Sequence, residues 1–187
     1  MKTSKDVIEM FLSEAPNLKT TVSNDFAELN EDQLNKKSSP DKWSIGECID
    51  HLVVSHEQYL YKIRKVYIEK LPSGKDLIQY KHSLFGKLLI NAVAPETKRK
   101  VKTFKVFNPD HKLIKASVVD DYHRSLNELI DIAGKFEGYD LNKIRISSPI
   151  SSFIRLNIGD AFMIHLNHDR RHINQANKVL EKLEVYY

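Results

Sequence analysis

The 187-residue chain carries 29 lysines and arginines against 25 acidic residues, a net charge of +4 with a pI near 9.0. Hydrophobic residues at 41% and charged residues at 29% exclude a disordered chain and a polytopic membrane protein. Only six glycines and six prolines leave too few turn formers for an all-β fold of this length.

A chain of this length suits one domain, residues 1–187, on a prior of roughly 100 to 200 residues per domain. Cys48, the only cysteine, excludes an internal disulfide and a cysteine-rich zinc site. The amino terminus lacks a signal-peptide pattern, and no run approaches the roughly 18 apolar residues of a spanning helix. The expectation is a cytoplasmic protein without a membrane partner. Basic residues are scattered except in TKRKVKTFK, Thr97 to Lys105, and no nucleic-acid motif surrounds that cluster, so no nucleic-acid partner is expected.

The first predicted helix starts near Ser4 and carries Ile8, Phe11, Leu12 and Ala15, then Leu18, Val22, Phe26 and Leu29 after a break or kink at Pro16. NKKSSPDKW reads as a loop. The second helix has the clearest start: Ser44 can cap the free amides while Glu47 reaches back, a capping box. Its stripe of Ile45, Ile49, Leu52, His56, Tyr59, Ile63 and Val66 runs until Leu71-Pro72.

Residues 72–116 read as a long crossover with a short helix at LFGKLLINAV. Ser117 with Asp120 marks the start of the third helix, whose stripe of Val118, Val119, Tyr122, Leu126, Leu129, Ile130 and Ala133 ends around Gly134 to Gly138. After an irregular linker, YDLNKIRISSPISSFIRL, the fourth helix opens at Asn157 with Asp160 three residues on and continues toward Leu183. Ile158, Phe162, His165, Asp169, His172, Ala176 and Val179 share its inward face. The fold class is all-α, a four-helix bundle with a long crossover between its second and third helices.

Within HLNHDRRHINQ, His165, His168 and His172 fall inside an arc of roughly 60°, and the pair four residues apart is separated by roughly 6 Å along the axis. Two imidazoles so placed can grip one ion, as in other metal sites with histidines at i and i+4. Histidines on an amphipathic helix are also ordinary surface or core residues, and the spacing alone does not decide. A metal would need a third ligand from another helix. His51, beside the stripe of the second helix, and His56, nearer its centre, both qualify.

SPDKWSIGECIDHL, followed more than a hundred residues later by NIGDAFMIHLNHDRRHINQANKVL, resembles the DinB-like superfamily of DinB- and YfiT-related metal-dependent enzymes. The resemblance spans nearly the whole chain: Trp43 and Ser44 match the Trp-Ser signature, His51 the histidine early in the second helix, and His168, His172 and Gln175 the closing HxxxHxxQ. NKIRISSP looks typical of one branch. The resemblance implies an up-down-down-up four-helix bundle binding a divalent ion, zinc or nickel, through His51, His168 and His172.

Members with known activities are similar to thiol S-transferases using low-molecular-weight thiols such as bacillithiol or mycothiol, to the mycothiol-dependent maleylpyruvate isomerase, or to hydrolases. The implied function is a metal-dependent S-transferase or hydrolase acting on a small molecule, with a non-catalytic metal- or ligand-binding bundle as the alternative. Glu47 and Asp169 are weak candidates for catalytic roles, although Glu47 is better read as a cap; Asp169 and Gln175 are candidates to orient the ligand imidazoles. Arg170 and Arg171 are weak candidates to meet an anionic thiol cofactor. Cys48, one turn into an apolar helix, reads as inert core, and Trp43 as packing between loop and bundle. The resemblance also makes a homodimer plausible.

Overall fold

The computed structural model describes residues 2–66, 78–97, 103–109 and 113–184. These form six α-helices, α1 (Ser4–Phe26), α2 (Glu31–Asn35), α3 (Ile45–Ile63), α4 (Leu84–Val93), α5 (Val118–Gly134) and α6 (Ile158–Glu184), and a two-stranded hairpin of β1 (Arg145–Ser147) and β2 (Arg155–Asn157). The strands are antiparallel, with Ile146 opposite Leu156. Both α1 and α3 pack against α5 and α6, and α4 lies on α6. One continuous apolar core runs between them, with Phe11, Phe26, Ile49, Leu52, Tyr122, Leu129 and Phe162 fully buried. No helix among the described residues is long and apolar enough to cross a membrane.

Sequence and structure part at several elements. Pro16 does not interrupt α1, which is continuous through it. The residue sits on the exposed face, where water can replace the missing donor, while Phe11, Ala15, Leu18 and Val22 are buried on the opposite side. Burying several large side chains at about 1.5 to 3 kcal/mol each outweighs the roughly 3 kcal/mol cost of an interior proline. The helix ends at Phe26, so Leu29 lies beyond it, and α2 follows with its own capping box between Asn30 and Gln33.

The second predicted helix stops at Ile63, with Arg64 as its C-cap; the expected end at Leu71-Pro72 lies outside the described residues, as do residues 98–102 of the basic cluster. Ser117 does not cap α5. Its backbone is already helical and its side chain makes no cap hydrogen bond, because the chain begins turning earlier, with Val118 N–H donating to Lys115 O.

Asn157 is likewise no side-chain cap: its Nδ2 donates to Lys81 O. Asp160 does the work instead. Its buried carboxylate accepts from Asn157 N, Tyr80 OH, His82 Nδ1 and both the amide and hydroxyl of Ser83, tying the crossover to the first turn of α6. Gly86 makes this approach feasible, since a Cβ there would lie 2.0 Å from Asp160 Oδ2. The crossover is held at its other edge by Ser4 N–H to Ile78 O and Tyr80 N–H to Lys2 O, beside the start of α1.

Candidate metal centre

Helix α3 is fixed at its start by both halves of the predicted capping box: Glu47 N–H donates to Ser44 Oγ at 3.1 Å, and Ser44 N–H to Glu47 Oε2 at 2.8 Å. Two turns on, His51 points into the groove between α3 and α6, where His168 and His172 meet it. The three ring centroids are 4.6 to 4.8 Å apart, and one ring nitrogen from each lies within 4.8 Å of the others. His51 Nε2 and His168 Nε2 are 3.0 Å apart. Of the two candidates on α3, His51 is the one placed beside His168 and His172.

The other nitrogen of His51 identifies its tautomer. Nδ1 lies 2.6 Å from Phe107 O, and a carbonyl can only accept, so in the neutral ring Nδ1 carries the proton and Nε2 presents a lone pair to the groove. Phe107 closes a single 3₁₀ turn, Lys105–Phe107, in the crossover; no sequence pattern marks a backbone carbonyl for this role. His168 Nδ1 and His172 Nδ1 are buried without a hydrogen-bond partner.

Burial determines the charge state of the group. It holds His168 well below the usual imidazole range, with the neighbouring His172, His51, His165 and His56 adding to the effect. His172 is pushed down to about 3 by burial, then by His51 and Arg171, with a hydrogen bond donated to Gln175 pulling the other way. His51 is lowered by burial, opposed by the Phe107 carbonyl. All three rings are therefore neutral at pH 7, the state that binds a metal.

Trp43, half-buried, stacks obliquely on His51 and His172 with centroids 4.8 and 5.6 Å away. It packs the loop directly against two of the three imidazoles, one on α3 and one on α6. Glu47 is held by Ser44 and by Lys37 Nζ at 2.8 Å, which leaves it a cap. Arg170 pairs with Glu14. Arg171 donates to Ala92 O and Ala94 O at the end of α4, and its charge still acts on His172. Cys48 is fully buried, and burial pushes its thiol well above the usual range.

Asp169 belongs elsewhere. Its carboxylate faces His56 Nε2 at 3.0 and 3.1 Å and accepts from Tyr122 OH at 3.0 Å, so it orients none of the three clustered imidazoles. An open groove of about 210 Å³ lined by Lys2, Tyr80, His82 and Met163 among others does not include the three histidines.

The family model of the DinB superfamily matches residues 21–176, a span that contains every histidine of this centre. The chain belongs to the DinB superfamily. Comparisons with curated proteins and with solved structures find no match. For this DinB-superfamily protein, three neutral imidazoles from two helices, two of them with buried and unpartnered Nδ1 atoms, fit a divalent ion of borderline softness.

Proposed function

We propose that this protein is a divalent-metal-dependent enzyme of the S-transferase or hydrolase type, with His51, His168 and His172 holding zinc or nickel. The observation that carries the reading is the convergence of three neutral imidazoles, His51 and His168 buried and His172 partly exposed, with His51 locked by the Phe107 carbonyl so that Nε2 faces His168. When bound, an ion in such a site acidifies a coordinated thiol or water and so supplies a nucleophile near neutral pH. A triad of imidazoles without a carboxylate suits zinc or nickel better than magnesium or calcium.

The chain's own residues do the rest. Trp43 covers one side of the histidines and offers an apolar surface to a small substrate. Arg171, fixed by two carbonyls beside His172, is the cation for an anionic group on a low-molecular-weight thiol. The reading also takes α1, α3, α5 and α6 as an up-down-down-up bundle acting in the cytoplasm; the packing of α1 and α3 on both α5 and α6 supports the bundle.

The test is metal analysis of protein purified without a nickel column, with His168→Ala and His172→Ala beside it. One equivalent of metal fewer in each variant than in the wild type is expected; a metal content unchanged in both would overturn the assignment. A panel of biological thiols and an electrophile should then show metal-dependent turnover, and ester or amide substrates tested without thiol separate hydrolysis from transfer.

A further inference from the structure

A second group of ligand atoms lies next to the first along the same two helices. His56, His165 and Asp169 each offer one atom, all within 4.8 Å of one another, and all three residues are completely buried. His56 follows His51 by roughly 7.5 Å along α3, and His165 precedes His168 by roughly 4.5 Å along α6. The outer group is the more accessible, since His172 is partly exposed; the second group is the inner level of one groove.

Two features of the inner group call for a cation. Ser125 Oγ donates to Tyr122 O at 3.0 Å, so toward His56 Nδ1, 2.9 Å away, it acts as acceptor. His56 Nδ1 then carries the proton, and its Nε2 confronts both oxygens of Asp169, an encounter that a positive charge between them would make favourable. Beside this pair stands His165, whose centroid is 5.0 Å from that of His56 and whose two ring nitrogens are both buried without a partner. A second ring proton would satisfy His56 alone. One cation would engage His56, His165 and Asp169 together.

We propose that His56, His165 and Asp169 form a second, inner site for a divalent transition-metal ion, distinct from the His51, His168 and His172 triad. Its donors are two imidazoles and one carboxylate, a set suited to zinc, cobalt or iron. Asp169 offsets one of the ion's two charges, which the outer triad cannot do, and this compensates for the deeper burial. Tyr122 OH, donating to Asp169, and Ser125, accepting from His56, hold the two donors in place, as supporting hydrogen bonds do at metal sites.

The test counts ions. The full chain is stripped with chelator and dialysed against Zn²⁺, then against Co²⁺ with visible spectra recorded, alongside His165→Leu and the double variant His168→Ala/His172→Ala, each checked for folding by circular dichroism. Two equivalents in the wild type and one in each variant are expected, with different cobalt spectra for the two remaining sites. Asp169→Asn, which preserves shape, replaces His165→Leu should that chain not fold, and is expected to bind one equivalent. A single wild-type equivalent that survives His165→Leu and vanishes in the double variant would overturn the inner site and leave the outer one standing. The reverse pattern would support the inner site and reject the outer. Two equivalents retained by His165→Leu would also overturn the proposal, as expected of a histidine merely enclosed in the core.

Discussion

Lowering the pH should destabilise the metal-free protein steeply, and the structure supplies the size of the effect. His165, His168 and His172 are held well below the usual imidazole range, each by burial first. In the unfolded chain the same rings titrate near pH 6.5, so below that value the unfolded state binds protons that the folded state refuses, and stability falls as pH falls. For His172 the window extends from about 6.5 down to about 3. Between pH 7.5 and 5.5 each histidine kept neutral costs about 1.4 kcal/mol, hence about 4 kcal/mol for three. Against a typical total of about 5 to 15 kcal/mol, such a loss removes between about a quarter and about four-fifths of the stability. Urea unfolding with chelator present at pH 7.5, 6.5 and 5.5 measures it. A loss below about 1 kcal/mol across that range would show that the imidazoles are protonated or accessible in the folded state, and would refute the account of the centre as a buried, neutral donor set.

Gly86→Ala would drive a Cβ to 2.0 Å from the carboxylate of Asp160, which its several partners prevent from swinging away; a loss of about 2 kcal/mol or more in thermal or urea unfolding is expected, and a neutral result would mean that the crossover is not held against α6 in this way. Ser44→Ala removes one half of the α3 capping box and should cost about 1 kcal/mol by the same measurement; an unchanged melting temperature would show that the cap contributes nothing. Cys48, buried and with its thiol pushed up, should react with a thiol reagent only as fast as the chain opens, so rapid labelling under native conditions would contradict its placement in the core.

The long amphipathic elements were legible because burial stripes and caps act locally. Ser44 and Glu47 form the capping box that their spacing implied, and His168 and His172 share one face of α6 as the period required. Features that depend on contacts distant in sequence were not legible. Continuation of α1 through Pro16 depends on what its other face buries. The three-residue strands β1 and β2 are too short to show a period of two. Asn30 and Gln33 did contain the signal for α2, a capping box before a five-residue helix, but one apolar residue, Leu34, made no stripe. The Phe107 carbonyl beside His51 is a backbone group, invisible to any reading of side-chain types.

The ambiguity between His51 and His56 follows from the same geometry. Both are buried on α3 facing α6, so the stripe could not distinguish them, and choosing one as ligand left the other without a role. On α6 the pairs His165 with Asp169 and His168 with His172 are each four residues apart and offset by three, so the helix repeats a ligand spacing at two successive levels. His56 meets the first pair and His51 the second. Enclosing so many imidazoles in an apolar helical core is costly to the empty fold, as the pH argument makes quantitative. That cost is offset when buried ring nitrogens such as both of those on His165 acquire a ligand, so metal binding and folding stability should be tightly coupled in this chain.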